Sequence, residues 1–323
     1  MLAKPTDYLT ADETRMLRGK SDLMGALLIV HAWGLIFGAM ALFVWWPNPL
    51  TFVLAVMVIG TRQLGMAILM LDAAHGLLFD NRRLNVWAGV WLCGAPVGAG
   101  MALYRPYHLT HHRHTQQADD PDLGLSAPFP ITRASLRRKI VRDLVGQTAY
   151  QRRGEQIRRA MGPRTQPLMV RLANLLRGER DFFITNAVLF AGLALAGYWW
   201  LYPALWLLPL ATWYQLVSRI RNIAEHAVVP DNDDPLRNTR TTYANPIERL
   251  FVAPYWVNYH LEHHMFLFVP CWRLPAAHRL LLAKGYGPKM ELRRGYREVL
   301  KRATAKLIDG PHDPGRLRGA QHI

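Results

Sequence analysis

Cysteine is nearly absent from this chain: two occur in 323 residues, Cys93 and Cys271. A disulfide framework, a thiolate zinc site and an iron–sulfur cluster are therefore not expected. The chain also lacks a His-Pro-Gly-Gly haem signature and any flavin-binding motif. Acidic residues are few, 23 Asp and Glu against 39 Lys and Arg, for a formal net charge of +16. The most informative absence is local. No Lys or Arg lies between Lys20 and Arg62, or between Arg180 and Arg219. Leu, Ala, Val, Phe and Trp fill both gaps, and each gap is long enough for spans of about 20 residues. The chain thus reads as a multi-pass membrane protein, although its hydrophobic fraction is only 51%.

Because the cations sit outside those gaps, the positive-inside rule places both termini and the long middle segment in the cytoplasm. Topology accounts for the basic charge, so no nucleic-acid partner is expected. The surplus also suits anionic lipid headgroups or an acidic partner protein. The first twenty or so residues are polar and do not read as a cleaved signal peptide.

In order, residues 1–22 form a cytoplasmic N-terminus with a capping-box pattern at Thr10-Ala-Asp-Glu13. Residues 23–80 read as a first transmembrane hairpin, turning at Pro47-Asn-Pro49 and ending near Asp72-Ala-Ala-His75. Arg62 falls within its second limb and must face protein rather than lipid. Residues 81–180 hold an apolar stretch, a histidine-rich segment and a basic loop. The apolar stretch, Asn85 to Tyr104, contains Gly94, Pro96, Gly98 and Gly100. These interrupt a straight helix, so a re-entrant or interfacial element is expected. Apolar positions at Ile131, Leu136, Ile140, Val141, Leu144 and Val145 suit a helix on the membrane surface or one packed on the protein. Residues 181–221 form a second hairpin turning near Tyr202-Pro203, and 222–323 form a cytoplasmic cap with a basic tail. The expected fold is all-α: one domain with about four transmembrane helices in two hairpins, interfacial helices and a cytoplasmic cap.

Histidine is where the chain is rich. In Tyr107-His-Leu-Thr-His-His-Arg-His114, His108, His111 and His112 stand at i, i+3 and i+4, on one helical face. His260, His263 and His264 repeat that spacing 152 residues later, in Tyr259-His-Leu-Glu-His-His264. A single triplet is compatible with a basic surface helix; the repeated pair points at shared metal ligation. With His75 and His226 on the same predicted side there are eight imidazoles, too many for one ion. Two metals follow, and nitrogen ligation without thiolates suits redox iron and oxygen chemistry. Asp72 and Asn222 accompany His75 and His226 at i, i+3 and i, i+4. Glu225 and Glu262 are expected to orient histidines, and His114 to support a ligand or face solvent. His278, His312 and His322 have no partner spacing and are expected to be solvated.

The segments Asp72-Ala-Ala-His75-Gly-Leu-Leu-Phe79, His108-Leu-Thr-His-His112 and His260-Leu-Glu-His-His264 resemble the histidine boxes of the membrane fatty acid desaturase superfamily. Its members include acyl hydroxylases and carotenoid ketolases. Asn222-x-x-x-His226 resembles the extra metal-site segment before the last box, and the hairpin–loop–hairpin layout matches. The resemblance implies a cytoplasmic di-iron site that uses O2 to break an unactivated C–H bond. Its ligands would be His75, His108, His111, His112, His226, His260, His263 and His264, with Asn222 direct or through water. One position departs from the pattern: Leu71 stands where the first box usually has a histidine, and Asp72 is the available substitute. The implied reaction is desaturation or hydroxylation of an acyl chain on a membrane lipid or acyl thioester. Carotenoid or alkane oxygenation is the alternative, and a non-catalytic metal-binding accessory protein the alternative of another class. Electrons would come from an external carrier, ferredoxin-like, with its reductase, at the inner membrane.

Overall fold

The computed structural model describes residues 4–304. They cluster into two compact units that interleave along the chain. One comprises Ser21–Met101 and Lys139–Val217; the other comprises the segments before and between these, with Ser218 onward. The chain enters through α1 (Ala11–Leu17), whose expected capping box is present. The Thr10 hydroxyl accepts from the Glu13 amide at 3.3 Å, and Glu13 Oε2 accepts from the Thr10 amide at 2.7 Å.

In the first of these units, α2 (Asp22–Trp45) and α3 (Pro49–His75) form the expected hairpin. The turn is made by Asn48, which accepts from the amides of Leu50 and Thr51, and by Pro49 at the first helical position. At 24 and 27 residues, both helices are long and apolar enough to cross a bilayer. Gly76, at φ 77°, ends α3 in the left-handed conformation. A methyl group on Gly25 of α2 would come within 2.2 Å of the Leu78 carbonyl oxygen, so only glycine permits that contact. Arg62 is 3% exposed and faces protein, as required of a cation in a span. Its neighbours are partnered by the return limb. Gln63 Nε2 donates to the Trp206 carbonyl at 2.8 Å, and the Trp213 indole donates to Thr61 at 3.1 Å.

After α3 comes α4 (Arg82–Ala88), which runs on through a wider turn at Gly89–Gly94 and a tight one at Ala95–Val97. Helical structure then breaks, with Gly98 at φ 76°, before α5 (Met101–Arg113). Protein groups satisfy this broken backbone. Gln156 Nε2 donates to the Gly98 carbonyl at 3.1 Å, and Asn186 Nδ2 to the Pro96 carbonyl at 3.2 Å. That is the protection an interrupted segment needs at membrane depth.

The second hairpin, expected at 181–221 with a turn near Tyr202-Pro203, has a broken return limb. Its outgoing helix, Arg180–Leu195, has 16 residues. The return is fragmented into a turn at Tyr202–Leu207, a short helix at Leu208–Ala211 and a helix at Trp213–His226. Pro203 and Pro209 each remove an amide donor and crowd the preceding turn, which accounts for the breaks. Among the described residues, two helices pass as spans, or three if α4 and α5 are one broken span.

The other unit is built from α5, the segment Ser218–His226, and the helices His260–Met265, Leu274–Ala283 and Tyr296–Ala303. It adds a feature not expected of an all-α chain: β1 (Thr241–Tyr243) pairs in parallel with β2 (Leu292–Arg294).

Asn85, 3% exposed, closes the chain after α3. It accepts from the amides of Leu78 (3.1 Å) and Phe79 (3.2 Å) and donates to the Ala73 carbonyl (2.8 Å). Asn85→Ala strands all three groups and is expected to cost about 3 kcal/mol. Thermal unfolding in detergent checks this; an unchanged midpoint contradicts it.

Candidate metal centre

Seven histidines converge within the second unit. α5 presents His108, His111 and His112 inward, at 4%, 2% and 3% exposure. His226 ends the helix Trp213–His226, and His260, His263 and His264 line a six-residue helix buried along its length.

The Nε2 atoms of His108, His112 and His263 form a triangle with sides of 2.9, 3.1 and 3.4 Å. A ring nitrogen carries either a proton or a lone pair, so three such atoms cannot all hydrogen-bond one another. A cation among them satisfies all three. At about 2.1 Å from an ion, nitrogens at neighbouring ligand positions stand about 3.0–3.4 Å apart. The observed sides match.

His111, His226, His260 and His264 form a second group, each offering a ring nitrogen within 4.8 Å of the others. Their tautomers follow from what lies behind them. His111 Nδ1 donates to Asp120 Oδ1 at 2.7 Å, and His260 Nδ1 faces Glu225 Oε1 at 3.3 Å. Thr115 gives its hydroxyl proton to the His111 carbonyl (2.9 Å), so it accepts from His264 Nδ1 at 3.1 Å. Nε2 of these three rings is thus left with its lone pair free, and that of His264 is buried with no hydrogen-bond partner. His260 Nε2 lies 2.8 Å from His226 Nε2, a separation that two ring nitrogens tolerate only with a proton or cation between them. Burial, reinforced by neighbouring imidazoles, holds His226, His260 and His264 well below the ordinary histidine value. They are neutral at pH 7, the form that binds metal. Burial also pushes the Glu225 carboxyl up to about 7, against the pull of Arg221, whose Nε donates to it at 2.6 Å.

Around these groups the backbone is held hard. Among the described residues, four non-glycine residues have positive φ: Gln116, Val228, Tyr255 and Trp256. Each lies within five positions of a clustered histidine, the pattern of strain stored at functional sites. Arg240, buried against Glu291 (3.0 Å), donates to the carbonyls of Ala224 (3.1 Å), Ala227 (2.9 Å) and Val228 (3.0 Å). It thereby caps the helix that carries His226, while Gln116 Nε2 holds the His226 carbonyl at 2.9 Å.

The remaining expected residues are placed as follows. His75 is half-buried in the last turn of α3, and Asp72, 2% exposed, lies one turn earlier. Neither group of converging ligand atoms includes the Asp72 carboxylate. Asn222 is half-buried one turn before His226, and His114 is half-buried just past α5. Glu225 faces His260 Nδ1. Glu262 instead bonds Thr241 and, at 2.6 Å, His278 Nδ1. His278, expected to be solvated, is 4% exposed, because Glu262 and Tyr243 (3.0 Å) pair both its nitrogens. His312 and His322 lie outside the described residues. Asp120, Thr115 and Arg240 escaped sequence reasoning. Asp120 alone left a trace, in the short Asp-rich run after the first triplet.

The sequence pattern described as fatty acid desaturase matches residues 44–295, well over half the chain. The chain belongs to the fatty acid desaturase family. Dihydrorhizobitoxine desaturase of Bradyrhizobium elkanii is 23% identical over 271 residues, 80% of this chain and 75% of that protein. A beta-carotene ketolase of Paracoccus sp. (strain N81106 / MBIC 01143) is 26% identical over 269 residues, 80% of this chain and 94% of the ketolase. A second, from Paracoccus sp. (strain PC1), is 24% identical over 229 residues, 71% of this chain and 79% of its own length. Family membership and the α2–α3 hairpin make this desaturase-family chain an integral membrane oxidoreductase.

Asp120 accepts from His111 and the Asp122 amide (2.8 Å) through one oxygen and from the Gln116 amide (2.8 Å) through the other. Asp120→Asn turns one of these acceptors into a donor facing an N–H. Metal affinity of the second group should fall about 10- to 100-fold. Competition with a chelator measures this, with exposed Asp119→Asn as control; equal affinities would remove Asp120 from the metal centre.

Proposed function

We propose that this chain is an O2-dependent di-iron oxidoreductase that desaturates or hydroxylates a fatty acyl chain of a membrane lipid or acyl thioester. The observation that carries this reading is the pair of nitrogen-only histidine groups, three of whose rings (His111, His260 and His264) face polar partners through Nδ1 and so turn Nε2 inward. The proposed ligands are His108, His112 and His263 with His75, and His111, His226, His260 and His264, with Asn222 direct or through water. The proposed topology has four spans, with both termini and the metal site cytoplasmic.

Iron, when bound, supplies the redox chemistry that sets dioxygen and two electrons against an unactivated C–H bond. For desaturation, R–CH2–CH2–R′, O2, two electrons and two protons give R–CH=CH–R′ and two waters. For hydroxylation, the same inputs give an alcohol and one water. The chain's own residues prepare the site. Asp120, Glu225 and Thr115 hold the imidazoles in the tautomer that aims Nε2 inward. Burial keeps the rings of His226, His260 and His264 neutral and bulk water out. Arg240 and Gln116 keep His226 in register. Since no haem, flavin or cluster motif is present, an external one-electron carrier with its reductase must supply both electrons.

The likeness to beta-carotene ketolases supports a second reading, oxygen insertion into a carotenoid ring by the same metal centre.

Purified protein from iron-replete cells is expected to hold close to two irons per chain. His263→Ala and His264→Ala should each lose one of them. One zinc and no iron would end the di-iron reading. Mass spectrometry of lipids from cells with and without the protein then selects the reaction: loss of two hydrogens, gain of one oxygen on an acyl chain, or an altered carotenoid.

Asp72 is proposed to stand in for the histidine that Leu71 replaces. Asp72→Ala should lower iron occupancy, and Leu71→His in that background should restore part of it. Full iron and full activity in Asp72→Ala would exclude Asp72 from the site.

A further inference from the structure

Of the three helices that carry the seven clustered histidines, α5 alone has an exposed face. The helix His260–Met265 is buried at every position, and Trp213–His226 has no exposed residue. On α5, His108, His111 and His112 point inward, while Leu103, Arg105, Pro106, Tyr107, Thr110 and Arg113 are exposed. A protein seated on that outer face therefore stands about one helix diameter, ~10 Å, from the ligand nitrogens.

Two further side chains of α5 reach toward the histidines, one toward each group. The half-buried Tyr104 ring stacks on His108, with centroids 5.0 Å apart and planes 17° apart. Tyr107, 43% exposed, donates its hydroxyl to Asp122, whose other carboxylate oxygen is 3.8 Å from His111 Nδ1. The exposed side is small, with Arg113 on its outer arc and the exposed Arg105 at the flank beside the histidines, on a chain of net charge +16. Small, polar, charge-steered contacts are what transient electron-transfer partners use.

We infer that the outer face of α5 is the docking surface for the electron donor, an acidic one-electron carrier protein held by Arg105 and Arg113. This rests on the redox-metal reading above and adds to it where the partner binds. Each docking oxidises the carrier by one electron and reduces the metal site by one, with no bond formed or broken. Two dockings supply the two electrons of one turnover.

The test uses the full-length, iron-loaded chain in detergent, mixed anaerobically with a reduced [2Fe–2S] ferredoxin. Oxidation of the ferredoxin is followed in a stopped-flow instrument at several ionic strengths. The double variant Arg105→Glu/Arg113→Glu should slow the second-order step at low salt by about tenfold or more and flatten its salt dependence. Its iron content and its reduction by dithionite should match the parent chain. Arg279→Glu, a reversal on another exposed position, should change the rate less than about twofold. Parent-like ferredoxin oxidation by the double variant, or an equal loss in Arg279→Glu, would overturn the assignment. If dithionite reduces the parent chain but ferredoxin does not, the docking proposal fails and the di-iron reading stands. Absence of any reducible metal in the parent chain would end both.

Discussion

Buried imidazole nitrogens that face one another at close range are the constraint around which one unit of this protein is organised. His108, His112 and His263 bring three Nε2 atoms within 3.4 Å of each other, and His226 and His260 bring two within 2.8 Å. Without a proton or a cation between them two such nitrogens repel, lone pair to lone pair, and the three of the first group cannot all be bridged by hydrogen bonds. A cation turns the same geometry from a cost into binding energy. The carboxylates and the hydroxyl behind the second group serve the same end. By accepting the Nδ1 protons of His111, His260 and His264 they commit those three rings to one tautomer, whose inward nitrogen is the basic one.

Holding that arrangement strains the backbone nearby. Val228 is β-branched and sits at φ 55°, and Tyr255 and Trp256 are left-handed in succession just before the helix His260–Met265. The buried guanidinium of Arg240 binds the carbonyl oxygens on either side of this turn, Ala227 and Val228, so the strained conformation carries its own clamp. In the membrane-spanning unit the corresponding problem is polar backbone in apolar surroundings. Gln156, Asn186 and Asn85 solve it by spending side-chain amides on carbonyls and amides that interrupted helices leave open. Buried polar side chains thus do opposite jobs in the two units: one set shapes ligands, the other repairs backbone.

Much of the histidine cluster was legible in the chain because helical periodicity is local. Spacing of i, i+3 and i+4 puts three rings on one face whatever the helix packs against, so His108, His111 and His112 announced themselves. The α2–α3 hairpin was equally readable, since lack of charge over a span's length is a property of contiguous residues. The return limb at 202–226 was harder to foresee. Its hydropathy fits one span, yet Pro203 and Pro209 divide it, and hydropathy does not register a missing amide proton.

Sequence by itself determined which histidines share a helical face and which stretches are apolar enough to cross a bilayer, because both depend on neighbours along the chain. It did not determine the partners behind the ligands. Asp120 and Thr115 became tautomer-setting groups, and Arg240 a helix cap, only when folding joined residues between 9 and 149 positions apart. The same holds for His278, whose lone position in the chain suggested solvent. Tertiary contact with Glu262 and Tyr243 buried it instead. A hydrogen bond needs its two atoms within about 3 Å, and for such distant pairs the spacing of residues along the chain carries no information about that distance.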